Sequence, residues 1–374
     1  MSSSKFIILI VSVGIINLVG CREMAEPFRY GLLKSEDGGY SWKETGIKNK
    51  WASSITIDPS QNPEIIYISI EKLGISKSTD GGQTFFSLNR GLDGIKKIII
   101  NPSQTNNLYL IIRDESSQIY TSNDSGENWQ LLEGVPVKKY IEDITIYPGN
   151  PEVIFLAGGY EINDCYYGII KSIDKGKTWS PLYIDTYSSN VVVHPENPDI
   201  IFTLGLTDIV FNFSLSKKQV GCKYKRIGVG YLYKSTDGGE SWNAISSSIV
   251  TLATLPPNDY ILIHPINPDI IYGRFTGSGI IKSVDGGETW AETDFKKASY
   301  FLAIDPQNPD IVYSGSMYSP YVSDICNGIY KTVDGGTTWK NIALQGYIVY
   351  EIAINPKNPE IIYAFAVNCA EAKE

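Results

Sequence analysis

One motif recurs seven times along the chain, and no other feature restricts the fold as much. It reads S-x-D-x-G-x-[ST]-W and begins at Ser35, Ser78, Ser122, Ser172, Ser235, Ser283 and Thr332. Its acidic position is held by Asp37, Asp80, Asp124, Asp174, Asp237, Asp285 and Asp334. The motif returns about every 50 residues, the period of repeats built from four short strands. A second motif alternates with the first: Ile-Asp-Pro, then Asn62-Pro63-Glu64-Ile65-Ile66-Tyr67. It is echoed at Asn197, Asn267, Asn308 and Asn358, and more loosely near Asn101 and Asn150.

Between these turn motifs lie short runs rich in Ile, Val and Tyr, so each unit reads as four strands, A to D. In the first complete unit they fall at residues 54–58, 65–70, 74–78 and 83–88. Gly81 and Gly82 occupy the C-D turn, where a positive φ is needed. The termini carry the decisive information. The chain opens with a C-D pair at residues 30–44 and closes with an A-B pair at residues 348–367. Neither half-unit completes a sheet alone, but together they make one, which turns a linear array into a ring. An open solenoid would need terminal caps instead. The predicted fold is all-β: a single seven-bladed β-propeller of four-stranded blades spanning residues 30–374, closed by N-terminal C-D strands pairing with C-terminal A-B strands.

The paired signature, Asn-Pro-Asp-Ile-Ile-Tyr followed by Gly-Ile-Tyr-Lys-Ser-x-Asp-Gly-Gly-x-Thr-Trp, resembles the BNR or Asp-box repeat. Bacterial sialidases, sortilin-type receptor propellers, xyloglucanase-type glycoside hydrolases and photosystem II assembly factors of the Ycf48 type share that repeat. The sortilin and xyloglucanase style is the nearer one, and the resemblance covers nearly all of residues 30–367. It specifies fold strongly and activity hardly at all.

Residues 1–20 read as a secretory signal, with Lys5 as the positive n-region and an apolar stretch from Phe6 to Val19. The stretch ends in Leu18-Val19-Gly20-Cys21, which resembles a bacterial lipobox; the alternative is an ordinary cleaved signal beside a chance cysteine. Lipidation of Cys21 would anchor the protein without spanning the bilayer. Residues 21–29 would form a tether. Arg22, in place of Asp, points to the outer membrane by the sorting rule of enteric bacteria. The expected location is therefore the cell envelope. The formal charge of −9 becomes one unit more negative without Lys5, which argues against nucleic acid as a partner.

Four cysteines remain after Cys21. In an exported protein an even number suggests two disulfides. They fall in long B-C loops, and the expected bridges are Cys165–Cys222 and Cys326–Cys369, each joining adjacent blades.

The seven repeated aspartates are read as turn residues: their side chains accept hydrogen bonds from turn N–H groups, and Asp-x-Gly alone lacks the spaced ligands of a calcium loop. His194 and His264 take the place held elsewhere by Asp58, Asn101, Tyr147, Asp305 and Asn355, so histidine catalysis and zinc binding are not expected. No metal or cofactor is expected. The tryptophans that end each motif are equally structural, which leaves Trp51 without a repeat role. At the start of strand A it either packs in the core or lines the channel or ligand-facing rim.

In propellers of this resemblance the B-C and D-A loops form the ligand face. Three B-C loops, at residues 157–168, 205–230 and 315–328, exceed the needs of connection. They hold Tyr160, Tyr166, Tyr167, Tyr224, Tyr318 and Tyr321, suited to protein interfaces and to sugar stacking. The second also holds Lys217, Lys218, Lys223, Lys225 and Arg226. That hairpin either meets an anionic partner or is merely solvated. Binding residues are therefore sought at Trp51, Tyr160, Tyr166, Tyr167, Lys217, Lys218, Tyr224, Arg226, Tyr318 and Tyr321. The reading that follows is a monomeric, non-catalytic binding or assembly propeller, turned to an envelope protein, a peptide or a glycan.

The alternative is a glycoside hydrolase. A sialidase needs an arginine triad, and Arg29, Arg90, Arg113, Arg226 and Arg274 all fall near the loop face, yet sialidase propellers have six blades. Xyloglucanase-type enzymes use a cleft between two propellers, which one propeller of this length does not build. The acid-base candidates are Glu161, Asp164, Asp208 and Asp324, with no spacing that marks a pair.

Overall fold

A computed structural model describes residues 29–88, 91–113, 117–136, 140–162, 165–182, 184, 187–207, 229–245, 260–275, 279–297, 299–316 and 326–369. Among them 28 strands, numbered β1 to β28 in chain order, form seven four-stranded antiparallel sheets. Blade 1 comprises β3 (Ala52–Asp58), β4 (Ile65–Ile70), β5 (Gly74–Ser78) and β6 (Phe86–Ser87), paired in that order. Blades 2 to 6 repeat the arrangement. Blade 7 is composite: β27 (Tyr347–Ile354) and β28 (Ile362–Asn368) are completed by β1 (Tyr30–Ser35) and β2 (Lys43–Lys48). Tyr30 pairs with Val367, Leu32 with Phe365 and Ser35 with Ile362, so the two ends of the chain share one sheet.

The apolar runs explain the stacking. Alternate residues of a strand point to opposite faces. In β4, Ile66, Ile68 and Ile70 pack with Tyr363 and Phe365 of blade 7. The intervening Tyr67 packs with Ile98, Leu108 and Leu110 of blade 2. Each sheet is thus covered on both faces, and burying one such side chain contributes roughly 1.5 to 3 kcal/mol.

The repeated aspartates close the C-D turns. In blade 7, Ser35 donates its hydroxyl to Asp37 at 2.8 Å, Gly39 N–H donates to the same Ser35 oxygen at 2.9 Å, and Ser41 N–H donates to Asp37 at 2.9 Å. The pattern returns in all seven turns, with Asn128 in the hydroxyl position of blade 2. Gly81 and Gly82 have φ of 66° and 89°. A Cβ on Gly82 would lie 3.1 Å from the Tyr363 ring, so the glycine serves close blade packing as well as the turn.

Where both are present, the Tyr and Lys of the two motifs join one blade to the next. Tyr67 and Lys77 of blade 1 both donate to the Ser125 carbonyl of blade 2, at 3.1 and 3.2 Å. Tyr313 and Lys331 of blade 6 do the same to Gly38 of blade 7, at 3.1 and 3.0 Å. Tyr363 of blade 7 donates to Gly81 of blade 1 at 2.8 Å. The lysine also rides over the tyrosine ring, as Lys77 does over Tyr67 at 5.4 Å. Cys326 and Cys369 form the expected disulfide between blades 6 and 7, with Cα atoms 6.1 Å apart.

Two expectations need correction. The described residues within 157–168 are not loop but paired strand, β12 (Ile154–Ile162) and β13 (Cys165–Ser172), with Tyr160 opposite Tyr167 and Ile162 opposite Cys165. Aromatic and β-branched residues suit paired strands. The outer strand of blade 1 is also shorter than residues 83–88, because Thr84 is bound back to Asp80 at 2.9 Å and pairing resumes only at Phe86.

Candidate functional site

Strand A is the inner strand of every blade, and successive A strands pack around the axis. Antiparallel order puts the C-D and A-B turns on one face and the D-A and B-C connections on the other. Near that second face, six inner strands carry an irregularity at the same level. It lies between Ala52 and Ser54, Ile95 and Lys97, Ile141 and Asp143, Ser188 and Asn190, Ser299 and Leu302, and Val349 and Glu351. Bulges of this kind bend the strand, re-aim side chains and are over-represented beside binding sites.

On β7 (Ile95–Ile100) and β11 (Tyr140–Ile146) this level is charged. Lys96 pairs with Glu142, Lys97 pairs with Asp143, and Arg113, just past β8 (Leu108–Ile112), also pairs with Glu142. Asp143 further accepts a hydrogen bond from Asn190 Nδ2 at 2.8 Å, in β15 (Tyr187–Val193) of blade 4. The acids lie inside and the bases outside. The side chains of Asp143 and Glu142 are 6% and 12% exposed, those of Lys97 and Arg113 43% and 42%. Burial pulls the Lys96 ammonium below its ordinary range, and Glu142 works against that shift.

On the other side of the axis the level is aromatic. Trp51, 38% exposed, stands edge-on to Tyr350 at 5.1 Å and to Phe365 at 5.4 Å. Tyr350 in turn meets Tyr300 at 4.6 Å. Next to Tyr350, the Glu351 carboxyl is pushed up to about 7, chiefly by burial. Ile55 N–H, which donates to it, and the charge of Lys97 oppose the shift without cancelling it.

Of the residues singled out in the sequence, Trp51 belongs to this ring end, both packed and partly exposed. Tyr160 and Glu161 lie in β12, opposite Tyr167 and Tyr166 of β13. Asp164, Asp208, Lys217, Lys218, Lys223, Tyr224, Lys225, Arg226, Tyr318, Tyr321 and Asp324 lie outside the described residues, as do Cys21, Arg90 and Cys222, the expected partner of Cys165. Arg274, counted among the loop-face arginines, is buried in β20 (Ile271–Phe275) at 2% exposure and donates to the Ser299 carbonyl of blade 6. It joins blades instead of facing solvent. His194 and His264 cap A-B turns through Nδ1, which accepts N–H groups of Asn197 at 3.1 Å and Asn267 at 2.9 Å.

The ring-end charges and Glu351 were not singled out in the sequence. A signal was present: Lys96-Lys97 and Glu142-Asp143 occupy the same column of successive repeats, and successive repeats are spatial neighbours.

Comparison with known proteins agrees with this architecture. Residues 73–204 and 117–254 match the sortilin family, described as Sortilin-Vps10; sortilin, neurotensin receptor 3. The xyloglucanase Xgh74A of Acetivibrio thermocellus is 25% identical over 262 residues, 60% of this chain and 30% of that enzyme. This chain therefore spans less than a third of the curated relative it matches. The GH74 enzyme of Niastella koreensis superposes with a TM-score of 0.61 at 16% identity, over 91% of this chain and 53% of that one. YCF48 bound to D1 peptide superposes with a TM-score of 0.50 at 16% identity, over 77% of this chain and 86% of that one. The protein is a seven-bladed β-propeller that resembles the sortilin, xyloglucanase and Ycf48 propellers.

Proposed function

We propose that this protein is a non-catalytic binding or assembly propeller, exported and held to the cell envelope by a lipid on Cys21, that presents its B-C and D-A face to a protein, peptide or glycan. One observation carries the reading. At the loop-face end the carboxylates of Glu142 and Asp143 are both committed to ion pairs with Lys96, Lys97 and Arg113. Carboxylates engaged as counter-ions of neighbouring bases are not placed to act on a substrate. The pattern of residues 1–21 supports export and anchoring. Crosslinking in the native envelope, followed by identification of partners joined to loop-face residues, tests the reading. Robust turnover of a chromogenic glycoside panel by the purified protein would refute it.

Glu351 favours a second reading, a glycoside hydrolase. A carboxyl group titrating near neutrality is what a general acid requires, and a relative of partial length is named a xyloglucanase. On that reading, turnover on the same panel appears and disappears in Glu351→Gln.

A further inference from the structure

The chain enters the propeller at its loop face. β1 runs from Tyr30 toward the C-D turn of blade 7, where Gly38 N–H donates to the Glu360 carbonyl of the A-B turn at 3.0 Å. Tyr30 therefore lies at the opposite end, beside the D-A connection into blade 1. Asn49 N–H donates to the Tyr30 carbonyl at 2.7 Å, and the Tyr30 ring stands 6.2 Å from that of Trp51. Eight residue steps separate Cys21 from Arg29, a segment that no conformation stretches beyond about 29 Å. A lipid on Cys21 thus holds this corner of the loop face close to a bilayer. Bringing the turn face there instead would send the same segment outward past β2, one strand spacing of about 5 Å, and back along the five residue rises of β1, about 17 Å, before it rounded the C-D turn. Little of its length would remain.

The side chains at this corner suit the boundary between water and hydrocarbon. Glu71 N–H donates to the Trp51 carbonyl at 2.9 Å, so the B-C turn of blade 1, residues 71–73, lies against the connection that carries Trp51. Trp51 is 38% exposed and Leu73 42%. Lys50 and Lys72 adjoin them in the chain and are exposed. Tryptophan favours the headgroup level of a membrane, and lysine carries its ammonium back to the phosphates on an alkyl stem. Glu71 lies 3.8 Å from Lys72, so the attraction is that of apolar surface and headgroup contacts more than of net charge. The turn face also exposes apolar side chains, at Ile173, Ile266, Val284 and Val333, but these stand in turns of blades 3, 5 and 6, away from the chain's entry. Tyr40, in the turn of blade 7, already has the Lys331 ammonium over its ring at 4.8 Å.

We propose that the corner of the loop face where blades 7 and 1 meet, carrying Trp51 and Leu73, rests on the lipid bilayer beside the anchored Cys21. This rests on the lipid-anchored reading, and it makes the partner of the remaining loop face one held at the membrane surface.

The test is tryptophan fluorescence of the full chain in vesicles of phosphatidylcholine and phosphatidylglycerol, with and without lipid brominated in the upper part of its acyl chains. The mass of the Cys21 peptide is measured alongside. The other six tryptophans end C-D turn motifs on the opposite face, so quenching by contact with bromine reports Trp51. The acylated chain should be quenched by the brominated lipid. Trp51→Phe, which keeps an aromatic ring against Tyr350 and Phe365, should lose most of that quenching, and Leu73→Asp, in an exposed turn, should lessen it. Acylated protein held on the vesicles without quenching, quenching that persists in Trp51→Phe, or quenching indifferent to Leu73→Asp would each overturn the inference and leave the anchored reading intact. Quenching of a chain without lipid on Cys21 would contradict the anchored reading and leave the surface in place. A chain with neither acylation nor quenching would overturn both.

Discussion

The hydroxyl of Tyr313 donates to the carbonyl of Gly38 at 3.1 Å, across 275 residues of sequence. Tyr313 belongs to blade 6, and Gly38 lies in the turn that the N-terminal strands bring to blade 7. The same carbonyl accepts from Lys331 at 3.0 Å. A contact that serves ordinary neighbours in blades 1 and 2 thus recurs where the chain ends meet, and the composite blade is joined to blade 6 as blade 2 is to blade 1.

Tyr313→Phe should therefore destabilise the protein by about 0.5 to 1.5 kcal/mol, the net value of one hydrogen bond whose acceptor keeps another donor. Tyr67→Phe, away from the seam, should cost a similar amount. Urea unfolding of both variants checks this; a seam variant without effect would mean that blade 7 is not held by this contact.

The disulfide adds a covalent tie at the same place. Replacing Cys369 with Ser should cost about 2 to 4 kcal/mol, and wild-type protein in reductant should lose the same amount. Thermal melts with and without reductant make the comparison.

The turn aspartates set the acid limit. All seven carboxyls are held at about 2, below the ordinary aspartate range. In six the leading cause is a hydrogen bond from the Ser, Thr or Asn side chain four residues on; for Asp80, burial opposes the shift and the bonds from Thr84 outweigh it. A depressed native pKa stabilises fully above the unfolded value and is lost as pH falls through the native one. Urea midpoints should therefore fall progressively between pH 4 and pH 2. Asp174→Asn should weaken that dependence, and an unchanged acid profile in the variant would contradict the assignment.

Glu351 acts in the opposite sense. Its native pKa of about 7 lies above the ordinary glutamate range, so the folded state favours the protonated form. That contribution is complete below about pH 4.5 and is lost as pH rises through about 7. Glu351→Gln should raise the urea midpoint at pH 8 relative to wild type and change it little at pH 5. Equal effects at both pH values would show that the carboxyl is not held neutral.

The fold was legible because its determinants are local and repeated. Ser35, Asp37 and Gly39 close a turn within five residues, and seven copies fix both blade count and the split seam. Strand ends were less legible: the capture of Thr84 by Asp80 shortens β6, and pairing of Tyr160 with Tyr167 turns a presumed loop into sheet. The ring-end cluster was hidden for a different reason. Lys97 and Asp143 lie 46 residues apart and form no motif. Only alignment of equivalent strand positions in adjacent blades brings them together. Trp51 was recognised by elimination, since it alone among the tryptophans stands outside the turn motif.

The most direct test of the circular architecture is amide hydrogen exchange across β28. If β1 completes blade 7, the amides of Ile362 to Val367 are strongly protected in the full chain. Removing residues 1–48 then exposes the alternate amides of β28 that donate to β1 and loosens blade 1 beside them. Equal protection of β28 with and without the N-terminal strands would contradict closure of the ring.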